Sequence, residues 1–101
     1  MTRPRILLAD DHRIMLERVR ALLQATFDVV GAVSNGREMV SEALRLNPDV
    51  IVADISMPQL SGIEAAHELR ERGSRAKLVF LTIHPDDEFV TACLAEGRWA
   101  T

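Results

Sequence analysis

Three aspartates and a threonine stand where this sequence could do chemistry. Asp10 and Asp11 directly follow one short apolar run, residues 5–9. Asp54 follows another, residues 50–53, and Thr82 closes a third, residues 77–82. Short runs that are apolar along most of their length read as strands buried on both faces of a parallel sheet. In open sheets of that kind, sites form at the carboxyl ends of the strands. Three carboxylates and a hydroxyl therefore converge on one rim if the first, third and fourth strands lie side by side. Clustered carboxylates repel one another, and a hard divalent cation relieves that cost. Mg²⁺ suits such a site, since it takes few carboxylates and completes its shell with water and phosphate oxygens. A carboxylate beside it is a known type of nucleophile toward phosphoryl groups, with the metal neutralising charge on the transferring oxygens. Thr82 could then bond a phosphoryl oxygen.

The elements that must position these groups alternate in type. The short runs are residues 5–9, 28–33, 50–53 and 77–82, with 28–33 the least continuous and the best candidate for an edge. The stretches between them have helical spacing. Met15, Val19, Leu22 and Leu23 share a face within residues 12–25, and Met39, Val40, Ala43 and Leu44 share one within 36–46. Ile63, Ala66 and Leu69 make a narrower stripe within 62–72. A fourth helix is expected around Phe89, Val90, Cys93 and Leu94, with Asp86 and Asp87 at its N-terminal end, where the macrodipole favours acids. Ser34-Asn35-Gly36, Asn47-Pro48-Asp49 and Gly73-Ser74 punctuate the pattern, and Gly97 is a plausible stop. The order is βα repeated four times, which predicts a parallel sheet with helices on both faces.

Composition narrows the class of function. The 101 residues suit a single domain, and 48% of them are hydrophobic but only 4% aromatic, so the core rests on aliphatic side chains. The formal charge of −3 and the lack of a basic run argue against nonspecific nucleic-acid binding. The single cysteine, Cys93, excludes an internal disulfide and suits a reducing cytosol, so a cytoplasmic location is expected. No apolar run approaches the roughly 20 residues needed to span a membrane. Histidines 12, 67 and 84 fall on three different elements without ligand spacing, so a histidine metal site is not expected. His12 and His84 nonetheless lie near the rim.

Three motifs carry a resemblance. Ile6-Leu7-Leu8-Ala9-Asp10-Asp11-His12, the stretch from Pro48 to Pro58 with Gly62 after it, and Val79-Phe80-Leu81-Thr82 with the residues to Glu88 closely resemble the response-regulator receiver family of two-component signalling. The likeness runs from about Arg5 to Gly97 and is strongest to the subfamily followed by a helix-turn-helix output domain (NarL/FixJ type). The resemblance implies a flavodoxin-like (CheY-like) α/β fold with strand order 2-1-3-4 for the strands present. It implies that Asp54 accepts phosphate from a sensor histidine kinase and that Asp11 and Asp54 are Mg²⁺ ligands. Asp10 would assist, through a water, and Ser56 would offer its backbone carbonyl. Thr82 would be the switch hydroxyl. Such a domain is a signalling module rather than an enzyme.

The family pattern also includes a fifth strand and helix, with a lysine after that strand that pairs with the phosphoryl group. Here the sequence ends Gly97-Arg98-Trp99-Ala100-Thr101, residues 98–101 look unlike the family, and Lys77 is the only lysine. The whole chain thus reads as one C-terminally truncated receiver domain. Loss of the lysine would remove a charge-assisted bond worth about 1.5–3 kcal/mol. The fourth strand would become an exposed edge, and self-association through it is expected. Direct nucleic-acid binding by this chain is not expected. The alternatives to a phosphoacceptor are a pseudo-receiver or dimerisation module without phosphate-dependent signalling, and a truncated fragment.

Overall fold

The computed structural model describes residues 3–55, 57–84, 89–95 and 99–100, with side chains described as far as residue 81. Three βα units come first: β1 (Arg5–Ala9), α1 (Arg13–Gln24), β2 (Asp28–Val33), α2 (Gly36–Leu46), β3 (Val50–Asp54) and α3 (Gly62–Glu71). They are followed by β4 (Lys77–His84), β5 (Phe89–Ala95) and the short β6 (Trp99–Ala100). The sheet order is β2-β1-β3-β4-β5-β6. Its first four strands are parallel and follow the expected 2-1-3-4 order, with β2 at the edge.

Alternation along the strands sorts the two faces. Leu7 and Ala9 of β1, Ile51 and Ala53 of β3, and Leu78 and Phe80 of β4 join one core with Met39, Val40 and Ala43 of α2 and Ala65 and Leu69 of α3. Leu7, Leu8, Met39, Ile51 and Leu69 are fully buried, each contributing about 1.5–3 kcal/mol of transfer free energy. The opposite face carries α1. That helix has no buried residue, and Leu22, expected on its inward face, is 76% exposed. Met15, Leu16, Val19 and Leu23 are half-buried, so the inward stripe includes Leu16 in place of Leu22.

Two expectations about the C-terminal part are corrected. The part of the fourth amphipathic stretch that the structure describes, Phe89–Ala95, is a strand and not a helix, so the described residues form three βα units rather than four. β5 runs antiparallel to β4, with Thr82 opposite Thr91 and Leu78 opposite Ala95. Consequently β4 is not an exposed edge, and the edge proposed for self-association is already paired within the chain. The physical reason is competition for backbone groups. A seven-residue segment is too short to be a stable helix by itself, whereas a free strand edge offers a full row of donors and acceptors. β6 then pairs antiparallel with β5.

Candidate functional site

The site begins where β1 and β3 end. The backbone N–H of Asp10 donates to Val33 O at 3.0 Å, extending the β1–β2 ladder by one rung. This holds Asp10 at the rim, buried, with its carboxylate turned back on the chain: Oδ1 accepts from the backbone N–H of His12 at 2.8 Å. A short polar side chain bonding the backbone two residues on is a turn-forming contact. It aims His12, which caps α1 from an extended conformation, over the acidic rim.

Asp54 is the last residue of β3, adjacent to β1 in the sheet, and its side chain is 18% exposed. His12 Nδ1 lies 3.1 Å from Asp10 Oδ1, 3.2 Å from Asp11 Oδ1 and 3.7 Å from Asp54 Oδ2. One ligand atom from each of Asp10, Asp11, His12 and Asp54 lies within 4.8 Å of all the others. Asp10 and Asp54 also line a cleft with Leu8, Leu16, Val19, Val52 and Leu81. This apolar lining lowers the local dielectric and strengthens every interaction among the charges.

Electrostatics follow from that crowding. The His12 imidazole is held above its ordinary pKa, first by the hydrogen bond to Asp10 and then by the charges of Asp11, Asp10 and Asp54, against a small opposing effect of burial. A protonated His12 therefore serves as a counter-cation to the aspartates.

The sequence reading located most of this site. Asp10, Asp11 and Asp54 come together as expected. Thr82 lies on β4, one residue beyond Leu81, the register partner of Asp54. β4 does not stop there but continues to His84, and the Thr82 side chain lies outside the described residues. Ser56 also lies outside them. His12 belongs to the cluster although no histidine metal site was expected. Its adjacency to Asp10-Asp11 was the available signal; a search for spacing between histidines could not find it.

The loop from β3 to α3 supports Asp54 from behind. Gly62 N–H donates to Ile55 O at 2.8 Å, Leu60 N–H donates to Pro58 O at 2.8 Å, and Met57 is buried. Ser61 and Glu64 form a reciprocal capping box at the start of α3.

Comparison with known proteins agrees with this fold. Residues 6–100 match the family described as the response regulator receiver domain. The chain belongs to that family. It is 37% identical over 94 residues to the transcriptional regulatory protein DegU of Brevibacillus brevis, covering 91% of this chain and 40% of that protein. It is 35% identical over 94 residues to the nitrate/nitrite response regulator NarL of Escherichia coli, covering 91% of this chain and 44% of NarL. The signal receiver domain of the NarL regulator from Mycobacterium tuberculosis superposes with a TM-score of 0.74 at 28% identity, covering 79% of this chain and 66% of that one. The receiver chain thus spans about two-fifths of the length of these curated relatives.

Proposed function

We propose that this receiver is a single phosphoacceptor domain in which Asp54 takes a phosphoryl group from a sensor histidine kinase in the cytoplasm. The supporting observation is the meeting of Asp10, Asp11 and Asp54 from two adjacent strand ends within 4.8 Å of one another. The donor set is all oxygen apart from His12, and the carboxylates are few, which fits Mg²⁺. His12 Nδ1 already sits 3.1–3.7 Å from all three carboxylates, so the cluster favours a positive charge there. Asp11 and Asp54 would ligate the ion, Asp10 would act through a water, and Ser56 would offer its carbonyl. When bound, the ion would neutralise charge on the phosphoryl oxygens.

The residues themselves do the rest. An oxygen of Asp54 forms a bond to phosphorus as the donor's P–N bond breaks, and the donor imidazole leaves with the electron pair. Asp10 keeps His12 and the start of α1 in place through its bond to the His12 amide. Thr82, next along β4 from the register partner of Asp54, is the switch hydroxyl toward the new phosphoryl oxygens. The module signals by changing its affinity for partners rather than by turning over a substrate.

Incubation with acetyl phosphate and Mg²⁺ tests this. A mass gain of one phosphoryl group is expected for the parent and none for Asp54→Ala. An identical result for both removes the reading.

A further inference from the structure

The two helices that face the core each open on a glycine, Gly36 for α2 and Gly62 for α3. Both bare Cα atoms press on the same piece of backbone, the loop that follows Asp54. A Cβ at Gly62 would collide with the carbonyl oxygen of Asp54 and lie 3.3 Å from the Ile55 Cα. A Cβ at Gly36 would collide with the carbonyl oxygen of Leu60 and lie 2.6 Å from its carbonyl carbon. Neither obstacle is a side-chain end that can rotate away, so the loop or the helix would have to shift.

The helix is the harder of the two to move. Asn35 caps α2 by accepting from the Glu38 amide at 2.9 Å, and the Ser34 amide donates back to Glu38 at 3.3 Å. Met39, Val40 and Ala43 lock the next turns into the core. The loop is short and internally tied. Leu60 N–H bonds Pro58 O, Gly62 N–H bonds Ile55 O, and Gln59 already sits at φ 69°. Displacement at Leu60 therefore travels to Ile55 and so to Asp54.

We propose that Gly36 is a positioning residue for the acidic site. The first turn of α2 holds the β3–α3 loop, and through it Gly62 holds Asp54, at the separation from Asp10 and Asp11 that lets them share a cation. Gly36 touches none of the three carboxylates; it acts through the loop. The metal arm of the test below rests on the proposed Mg²⁺ reading, whereas the backbone arm does not.

The test compares Gly36→Ala with Gly73→Ala. Gly73 has φ 87° and open space around its Cβ position, so alanine there strains the fold without a collision. It controls for a general loss of stability. Backbone amide shifts and Mg²⁺ affinity by calorimetry are measured below the unfolding range of both variants. Gly36→Ala is expected to move the amides of Asp54, Ile55 and Gly62 and to weaken Mg²⁺ binding by about tenfold or more, the scale of losing a ligand's support. Gly73→Ala is expected to match the parent in both. Unmoved Asp54 and Gly62 amides in Gly36→Ala, or equal changes in the two variants, would overturn the proposal. If the parent itself binds no Mg²⁺, the metal reading fails and the amide comparison still decides this one. Should Gly36→Ala not fold, Gly36→Ala with Leu60→Gly, whose loop can yield, takes the same measurements with the same expected shifts.

Discussion

His12 Nδ1 stands 3.1 Å from Asp10 Oδ1, and the same Asp10 oxygen accepts the backbone N–H of His12 at 2.8 Å. One carboxylate thus fixes both the backbone and the ring of the residue that bridges to Asp11 and Asp54. When protonated, the ring brings positive charge into the space among the aspartates, and the site then contains its own partial substitute for a metal ion.

The pH dependence of this pair has a definite sign. Asp10, then Asp11 and Asp54, raise the folded-state pKa of His12 above the value of about 6.5 expected for the unfolded chain. The contribution to stability is fully present below the unfolded value and is lost as pH rises through the folded one. His12 is 67% exposed, so salt screens the effect. Ring-proton NMR of the metal-free protein at low salt should show His12 titrating above the ordinary histidine range. Asp10→Asn should return it toward that range; an unchanged midpoint in the variant would contradict the assigned cause.

Removing a carboxylate should have opposite effects with and without metal. At a pH above the His12 titration, where the ring has lost its charge, Asp10, Asp11 and Asp54 repel at close range beside an apolar cleft. Asp11→Asn is expected to raise the melting temperature of the metal-free protein by a few degrees, corresponding to about 1 kcal/mol. In millimolar Mg²⁺ the order should invert, since the parent gains binding free energy that the variant loses. Thermal unfolding with EDTA and with Mg²⁺ checks both halves, and parallel curves for parent and variant would remove the shared-cation site.

Much of this was legible because local and long-range signals agreed. β1 and β2 and all of α2 lie where apolar runs and turn residues placed them, and Asp10, Asp11 and Asp54 followed from strand ends alone. Legibility failed where one pattern served two structures. Phe89, Val90, Cys93 and Leu94 have helical spacing, yet β5 pairs with β4 because an unsatisfied strand edge is adjacent. Leu22 fits a helical stripe, yet α1 turns it outward and Leu16 inward, because packing on the sheet decides which of two overlapping stripes is covered. His12 entered the site through the contact of Asp10 with the backbone two residues on, a local turn signal that a search for spacing between histidines does not use.

The contrast between Leu22 and Ile51 is measurable. Ile51 is fully buried in the core between the sheet and the α2–α3 layer, whereas Leu22 is 76% exposed. Ile51→Ala should cost about 2–5 kcal/mol through lost transfer free energy and the cavity left behind. Leu22→Ala should stay within about 0.5 kcal/mol, as surface substitutions do. Urea unfolding of the two variants checks this, and a loss above 2 kcal/mol at Leu22 would mean that the outer side of α1 is covered in solution.

The antiparallel pairing of β4 and β5 makes the sharpest demand on the fold. In that register Leu81 faces Ala92, Thr82 faces Thr91 and Ile83 faces Val90. Antiparallel neighbours alternate between close and wide pairs, the close pairs having Cα atoms about 4.5 Å apart. Every second pair along β4–β5 should therefore give a strong Hα–Hα contact in a nuclear Overhauser spectrum. A helix over the same residues would give none of these, showing instead contacts between residues three and four apart. The result also bears on Thr82, because the partner strand fixes which side of β4 its backbone N–H and carbonyl can serve. With β5 paired, backbone amides of β4 facing β5 should exchange slowly with solvent, and helix-type contacts across residues 89–95 would return β4 to an open edge.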